Sequence, residues 1–427
     1  MTIAELYTIF CEYPTVKTDT RQIEKDDIFF ALKGPNFNGN AFIDQALEEG
    51  AAYVVTDEAE ENLDNHIIKF DDVLIALQQL ARHHRSQFNI PVLAITGSNG
   101  KTTTKELIHA VLSSTYNTYT TKGNFNNHIG IPLTLLSIKK DAEIAVVEMG
   151  ANNPGEIASY CKYVNPTHGL ITNFGKAHLE GFGSLEGVRN AKSELFNYLL
   201  IHDGTAFINT DDPYLIQKAA GIKSIITYGS QHADITGKAA GSTSELQIDA
   251  SGRVDLKNIR LQLVGDYNLP NVLAAVAVGN YFKITPENIK TALQNYQPSN
   301  SRSQLLKQGS NTIILDAYNA NPSSMQAAIT NFAKMPGDQK ILMLGGMMEL
   351  GIDSALEHRQ LVDLINSHQW QKVLLVGKQF KGLADQHLYF DKVEEARTWL
   401  AANPVLNATI LIKGSRSMQM EKMIDKL

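Results

Sequence analysis

Cysteine is scarce in this sequence: two in 427 residues, Cys11 and Cys161. They form no C-x-x-C pair, which excludes a disulfide framework and a zinc knuckle and fits a reducing cytosol. No apolar run approaches the roughly 20 residues that would span a bilayer. The N-terminus, "MTIAELYTIFCEYP", has no basic stretch, and Glu5 and Glu12 interrupt its apolar residues, so it does not read as a signal peptide. A cytoplasmic location is the expectation. Positive charge is also in deficit, with 38 Lys and Arg against 45 Asp and Glu and a net charge of −7. Nucleic acid is therefore not an expected partner, because phosphate neutralisation needs a basic face. An anionic small substrate remains open, since one local basic pocket suffices. There is no internal repeat and no low-complexity segment.

What is present is a globular balance of 43% apolar and 19% charged residues. The length predicts two to four domains. In the first segment "DDIFFAL" and "AAYVVTD" read as strands, with a helix near "AFIDQALEEG" and another over "DDVLIALQQLARHHRSQF". From "NIPVLAITG" onward apolar runs alternate with helical stretches: "AEIAVVEMG", "HGLITNFG", "GTAFINTDD" and "SIITYG". Strands that are apolar on both faces and alternate with helices indicate a parallel α/β sheet. Residues 233–263 alternate with period two and predict antiparallel strands, followed by the helix "NLPNVLAAVAVGNYF". "NYQPSNSRSQ" reads as a linker. After it the α/β rhythm restarts with "NTIILDAY", "KILMLGG", "KVLLVG" and "ATILIKG". The expected fold is α/β in three domains: a small N-terminal α/β domain (1–88), a central phosphate-loop domain on a parallel sheet (89–297) and a C-terminal Rossmann-like domain (298–427).

The stretch "ITGSNGKTTTKE" carries the first chemistry. The common phosphate loop, G-x-x-x-x-G-K-[ST], separates its glycines by four residues. Here Gly97 and Gly100 are separated by two. The context is nevertheless right: strand, glycine turn, helix. Glycines let backbone N–H groups close on phosphates, and a helix N-terminus favours the negative charge. Lys101 would reach the β- and γ-phosphates, and the Thr102 hydroxyl would hold Mg2+.

Ligands of open α/β sheets gather at the carboxyl ends of strands. "AEIAVVEMG" ends at Glu148, and an acid capping a buried strand is costly without a cation. "HGLITNFG" leads into "KAHLEGFGS", which holds His178. An imidazole and a carboxylate at strand ends are suitable metal ligands, although His178 taken alone reads as a loop histidine. From pattern alone Lys192 is an ordinary helix lysine and Arg302 a solvated linker residue.

Taken together, the motifs resemble the Mur ligase family, ATP-dependent amide-forming enzymes of peptidoglycan synthesis. "TGSNGKTT" matches the family's short phosphate loop. "TKGNFNNHIGIP", "EMGANNPGEI", "TNFGKAHLEGFGS", "GVRNAKSELF" and "NLPNVLAA" follow in the family's order over nearly the whole chain. "DAYNANPSSMQAAI", "LGGMMELG" and "KGSRSMQME" resemble the branch that uses D-alanyl-D-alanine as the amine substrate. The resemblance implies that a carboxylate of UDP-N-acetylmuramoyl-tripeptide attacks the γ-phosphate of ATP, giving an acyl phosphate that the dipeptide amine then attacks. Bringing two anions together demands cations, which Lys101 and Mg2+ would provide.

By the same resemblance, Gly97, Ser98, Asn99, Gly100, Lys101, Thr102 and Thr103 bind ATP. Thr102 and Glu148 hold one Mg2+, and His178 helps hold a second. Lys192 matches a lysine that CO2 carbamylates, turning a cation into an anion that could orient that second ion. Asn268 and Asn271 face the adenine, with Tyr267 where the family has histidine. Arg302, Asp316, Tyr318 and Asn319 close over ATP, Asp316 on the ribose, with Asn321 beside them. Thr20, Arg21, Asn126 and Asn127 contact the uridine-nucleotide substrate. The N-terminal segment departs from the family at Asp26-Asp27 and at Asn38 to Asn40, which leaves the uridine contacts open. A monomer and large domain closure are expected. A folate-type ligase disagrees with the N-terminal segment, and a GTPase lacks its guanine-specificity motif. A non-catalytic nucleotide binder disagrees with Lys101, Glu148, His178 and Lys192.

Overall fold

The computed structural model describes residues 1–427 except 59–64, 242–244, 299–300 and 385. Its residues cluster into two compact units. One comprises Met1–Ala94, Tyr116–Ala151 and Glu156–His168, and the other Ile95–Thr115, Asn152–Gly155 and Gly169–Leu427.

The first unit opens with a four-stranded, all-parallel sheet in the order Val16–Lys17, Ile28–Phe30, Tyr53–Thr56, Ile67–Lys69. The two central strands, Ile28–Phe30 and Tyr53–Thr56, match the sequence reading. The edge strands Val16–Lys17 and Ile67–Lys69 do not emerge from it, because neither is buried along its length and neither sits in a continuous apolar run. The hairpin Lys33–Gly34/Phe37–Asn38 follows the sheet's second strand. The helix Val73–Ser86 begins where Asp72 accepts the N–H of Ile75 at 2.8 Å and buries Val73, Ala76, Leu77 and Leu80. The parallel pair Thr118–Thr120/Ile144–Glu148 completes this unit's strands described here, and the second is buried at every residue.

The chain enters the second unit along the strand Val92–Thr96, also buried throughout, and continues into the helix Lys101–Ser113. Thr205–Asn209, Ser224–Gly229 and Ile235–Ala239 pair in parallel. Leu246–Gly252 and Leu256–Leu261 then add antiparallel, as the period-two stretch predicts. The helix Leu269–Tyr281 is buried from Asn271 to Gly279. A helix enclosed on all sides has no polar face, which explains its uniformly apolar sequence.

The last sheet has six strands in the order Gln304–Gln308, Asn311–Asp316, Thr409–Lys413, Lys340–Gly345, Lys372–Val376, Leu388–Phe390. All pair in parallel except the first. The four central strands were legible. The edge strand Gln304–Gln308 starts inside the stretch read as a linker, because "QLLKQ" is too polar to signal a strand. Residues 299–300 of that stretch lie outside the described residues. The chain ends in two 3-10 turns that bury Met420 and Met423 against this sheet.

Candidate active site

The phosphate loop is held from behind. Gly97 has φ +146°, and a Cβ there would run into Thr172 Oγ1, so only glycine fits. The segment after the strand His168–Ile171 grips the loop's backbone. Ser98 N–H donates to Asn173 O at 3.1 Å, and Asn99 N–H to Asn173 Oδ1 at 3.1 Å. Thr172 Oγ1 and Asn173 Nδ2 both donate to Asn99 O, at 2.6 and 3.0 Å. Ser98 Oγ donates to Gly175 O and accepts from Gly175 N–H, both at 2.9 Å. Lys101 Nζ donates to Gly97 O at 2.8 Å, which holds its ammonium over the loop. Thr102 and Thr103 are buried at the start of the helix.

Asn268 and Asn271 open the helix Leu269–Tyr281, and both are buried. Asn268 Nδ2 donates to Val264 O at 2.9 Å, Asn271 Nδ2 to Asn268 Oδ1 at 2.9 Å, and Thr104 Oγ1 to Asn271 Oδ1 at 3.1 Å. The two amides thus tie this helix to the helix that follows the phosphate loop. Beside them lies a cleft of about 380 Å3, lined among others by Asp266, Tyr267, Ser323, Gln326, Ala327 and Asn331. Tyr267 lies on its wall, with its hydroxyl 3.1 Å from Ser303 Oγ. Burial pushes that phenol far above its ordinary pKa, so it stays neutral.

Asp316 ends its strand in an ion pair with Lys413, Oδ2 to Nζ at 2.6 Å, and its Oδ1 accepts Ser303 N–H at 3.2 Å. The carboxylate expected on a ribose is therefore committed to two protein donors. Asn319 Oδ1 turns back to the N–H of Ala320. Asn321 caps the helix Pro322–Lys334 and extends Nδ2 to Asn99 Oδ1 at 2.8 Å. Arg302 lies over the ring of Tyr318, 3.6 Å from its centroid.

His178 and Glu349 meet at 2.6 Å, Nδ1 to carboxylate. Both backbones are left-handed, with φ of 52° and 61°, a conformation a folded site maintains at a cost. The close approach of His178 Nδ1 holds the Glu349 carboxyl below its usual range. Two residues earlier Lys176 pairs with Glu357 at 2.6 Å, and the Lys176 N–H donates to Ser323 Oγ at 3.0 Å. Lys192 is fully buried in the helix Leu185–Ile201, its Nζ 5.2 Å from the centroid of Phe182. The His178 ring lies 6.5 Å from that of Phe182. One aromatic ring thus neighbours both residues that the sequence reading assigns to a second metal ion.

In the first unit, Glu148 ends its strand 1% exposed. Its Oε1 accepts Asn126 Nδ2 at 2.7 Å, and its N–H donates to Thr121 Oγ1 at 3.0 Å. Asn127 Oδ1 accepts the N–H groups of Ile129 and Gly130, at 3.2 and 2.8 Å, at the start of a helix. Thr20 begins a 3-10 turn. Arg21 is exposed and grips Asp19 through Nε and Nη2, at 2.9 and 2.7 Å. Asn40 Nδ2 donates to Asp57 at 2.9 Å, Asn38 Nδ2 donates to Glu58 at 3.0 Å, and Lys33 pairs with both acids. The departures at 38–40 thus serve to fasten a hairpin.

Three family models match the chain in succession: the Mur ligase catalytic domain at 12–85, the Mur ligase middle domain at 95–279 and the Mur ligase glutamate ligase domain at 301–416. The UDP-N-acetylmuramoyl-tripeptide–D-alanyl-D-alanine ligase of Bacillus subtilis strain 168 is 38% identical, over 96% of this chain and 92% of that protein. The chain belongs to the Mur ligase family. A crystal structure of MurF from Acinetobacter baumannii superimposes with a TM-score of 0.87 at 31% identity, covering 97% of this chain and 93% of that one. MurF from Thermotoga maritima in complex with ADP does so with a TM-score of 0.87 at 27% identity, covering 96% of each chain.

In this Mur ligase the fit to metal ions can be judged from the donors present. No group of three or more His, Cys, Asp or Glu residues assembles among the described residues. A bound Mg2+ would therefore draw on hydroxyl and phosphate oxygens as well. The donor chemistry suits that. Glu148 is a deeply buried carboxylate with a neutral amide on one oxygen, a ready partner for a hard cation. Thr102 is buried at the loop's end, and Lys192 is fully buried in its helix.

The sequence reading missed Thr172, Asn173, Lys176, Ser323, Glu349, Glu357, Lys413 and Arg416. Three of these carry a signal that was already in use. Lys413 is a charge ending a buried strand, as Glu148 is, and Thr172-Asn173 directly follow one. Glu349 and Arg416 stand in motifs that carried the resemblance without being singled out as residues, and Glu357 stands in a stretch with no local mark.

Proposed function

We propose that the chain is an ATP-dependent ligase joining D-alanyl-D-alanine to UDP-N-acetylmuramoyl-tripeptide, a step of peptidoglycan precursor synthesis. The observation that carries it is the phosphate loop, gripped by residues 172–175 and touched by Asn321, in a chain collinear with ligases of that name. The triphosphate lies against the turn Gly97 to Gly100 and the start of the helix Lys101–Ser113, where Ser98, Asn99 and Thr103 line it, although the N–H groups of Ser98 and Asn99 are themselves taken by Asn173. Lys101 swings from the carbonyls of its own loop onto the phosphates. The base takes the cleft beside Tyr267, near Asn268 and Asn271, and Arg302, Asp316, Tyr318 and Asn319 flank the nucleotide.

The tripeptide carboxylate attacks the γ-phosphorus. The bond to the bridging oxygen breaks, giving ADP and an acyl phosphate. The dipeptide amine then adds to the acyl carbon, phosphate leaves, and the amine's proton is lost. Mg2+ would neutralise the phosphate oxygens, held by Thr102 and Glu148 for one ion and by His178 and a carbamylated Lys192 for a second. Thr20, Arg21, Asn126 and Asn127 contact the uridine-nucleotide substrate. The domains are bounded near 88 and 298, and the protein works as a cytoplasmic monomer without nucleic acid. No described helix is long and apolar enough to cross a membrane.

The test is phosphate release from ATP and Mg2+ with UDP-N-acetylmuramoyl-tripeptide and D-alanyl-D-alanine, omitting each in turn. The tripeptide is supplied in its lysine and diaminopimelate forms. Release that needs both substrates, with a pentapeptide product by mass, supports the reading. ATP binding without release in either form overturns it.

A further inference from the structure

Tyr318 carries two guanidinium groups and no anion. Arg302 lies 3.6 Å from its ring centroid and Arg416 5.3 Å, and Arg416 Nη1 donates to the Tyr318 hydroxyl at 3.3 Å. The neighbouring charges are already matched: Lys413 by Asp316 at 2.6 Å and Lys176 by Glu357 at 2.6 Å. Neither arginine forms an ion pair among the described residues, and the buried Arg302 Nε has no hydrogen-bond partner among them. Two like charges gathered on one neutral ring repel each other and lower the energy of an anion placed beside them.

Position separates the two. Arg302 precedes the edge strand Gln304–Gln308 and follows Tyr296 by six positions; the Tyr296 hydroxyl donates to Glu106 on the phosphate-loop helix at 2.6 Å. Arg416 follows the strand Thr409–Lys413, which lies in the sheet between Asn311–Asp316 and Lys340–Gly345. Its loop is fixed on both sides. Ser415 Oγ accepts Met348 N–H at 3.0 Å and donates to Ala320 O at 3.4 Å. A Cβ on Gly414 would meet the Gly345 backbone at 2.9 Å. Arg416 is thus an exposed guanidinium on a backbone fixed at the carboxyl end of a parallel sheet, where ligands of such sheets bind, on a loop tied to the one that bears Glu349.

We propose that Arg416 binds the terminal carboxylate of the dipeptide substrate and so selects a free carboxyl end, with Tyr318 as its platform and Arg302 left to the phosphates. This rests on the ligase reading above. A guanidinium matches a carboxylate with two parallel hydrogen bonds, and the dipeptide's only anion is that carboxylate.

The experiment compares D-alanyl-D-alanine with D-alanyl-D-alaninamide, which lacks the charge, in the full chain and in its Arg416→Met, Arg416→Lys and Lys378→Met variants. Wild type should show a KM for the amide at least tenfold above that for the acid. Arg416→Met should raise the KM for the acid at least tenfold, leave the amide unchanged and leave the KM for ATP unchanged. Arg416→Lys should fall between, and it carries the test if the methionine variant does not fold. Lys378→Met, at another exposed cation after a strand of this sheet, should behave as wild type. Undiminished discrimination against the amide in Arg416→Met overturns the proposal, as does a raised KM for ATP with an unchanged KM for the acid. Absence of product from wild type would instead remove the ligase reading. Calorimetric binding of the acid and the amide to wild type and Arg416→Met, with ADP present, then decides the site independently.

Discussion

Lys176 and Glu357 form a 2.6 Å ion pair between residues 181 positions apart, joining the segment that grips the phosphate loop to the helix Ser354–Asn366. The Glu357 side chain is 6% exposed and that of Lys176 42%, so the pair is buried on one side only. Breaking a fully buried pair costs about 3–5 kcal/mol, and an exposed one under ~1 kcal/mol. Lys176→Met should therefore destabilise by about 1–2 kcal/mol, read by denaturant unfolding. It should also raise the KM for ATP several-fold, because Gly175 next to it holds Ser98. The charge-swapped double variant, Lys176→Glu with Glu357→Lys, should recover part of both losses. Additive losses in the double variant would show that the pair is not coupled.

Gly97→Ala puts a methyl group onto Thr172 Oγ1 at a backbone φ that side chains rarely adopt. The loop must then shift away from Asn173. Nucleotide affinity should fall at least a hundredfold, worth about 2.7 kcal/mol, while far-UV circular dichroism stays unchanged. Calorimetric titration with ADP measures the first, and wild-type affinity would refute it.

Lys192→Ala should nearly abolish turnover, since it removes the side chain assigned to the second metal ion from a fully buried position next to Phe182. If the lysine works as its carbamate, a small carboxylic acid added to the assay should restore part of the rate. Full activity without rescue would exclude the role.

His168 supplies a pH dependence. It is 8% exposed, and burial lowers its pKa from 6.5 to about 4. The unfolded chain binds this proton more readily than the folded one. The stabilisation is thus complete above pH 6.5 and is lost as pH falls towards 4, by about 3 kcal/mol over that span. His84 and His358 are shifted downward by burial in the same way. Urea unfolding at pH 7.5, 6 and 4.5 should show this decline, and His168→Asn should flatten part of it. A stability independent of pH over that range would contradict the assignment.

The parts of the site that could be read from sequence are those built within one stretch of chain. Gly97 to Thr102 declare strand, turn and helix in a dozen residues, and Glu148 declares itself by ending a run of buried apolar positions. Contacts such as Asn99 with Asn321, 222 positions apart, leave no local trace, because each partner alone is an ordinary turn or cap residue. The same limit applies to the fold. Four central strands of the last sheet are apolar on both faces and were visible, whereas Gln304–Gln308 and Leu388–Phe390 are edges whose pairing, rather than composition, makes them strands. Asp316 shows the converse: its position at a strand end was legible, its commitment to Lys413 was not.

Gly175 has no side chain at the place where three loops converge. A Cβ there would lie 3.0 Å from Ser323 Oγ and 3.1 Å from Asn99 Nδ2. The clearance is smaller than a methyl group, so it acts as a machined tolerance. A substitution at this position would leave every part of the phosphate loop, the Asn321 cap and the Lys176 segment chemically intact, yet out of alignment with one another. Damage of that kind would pass unnoticed in any measurement on a single loop and would surface only when the assembled device had to run.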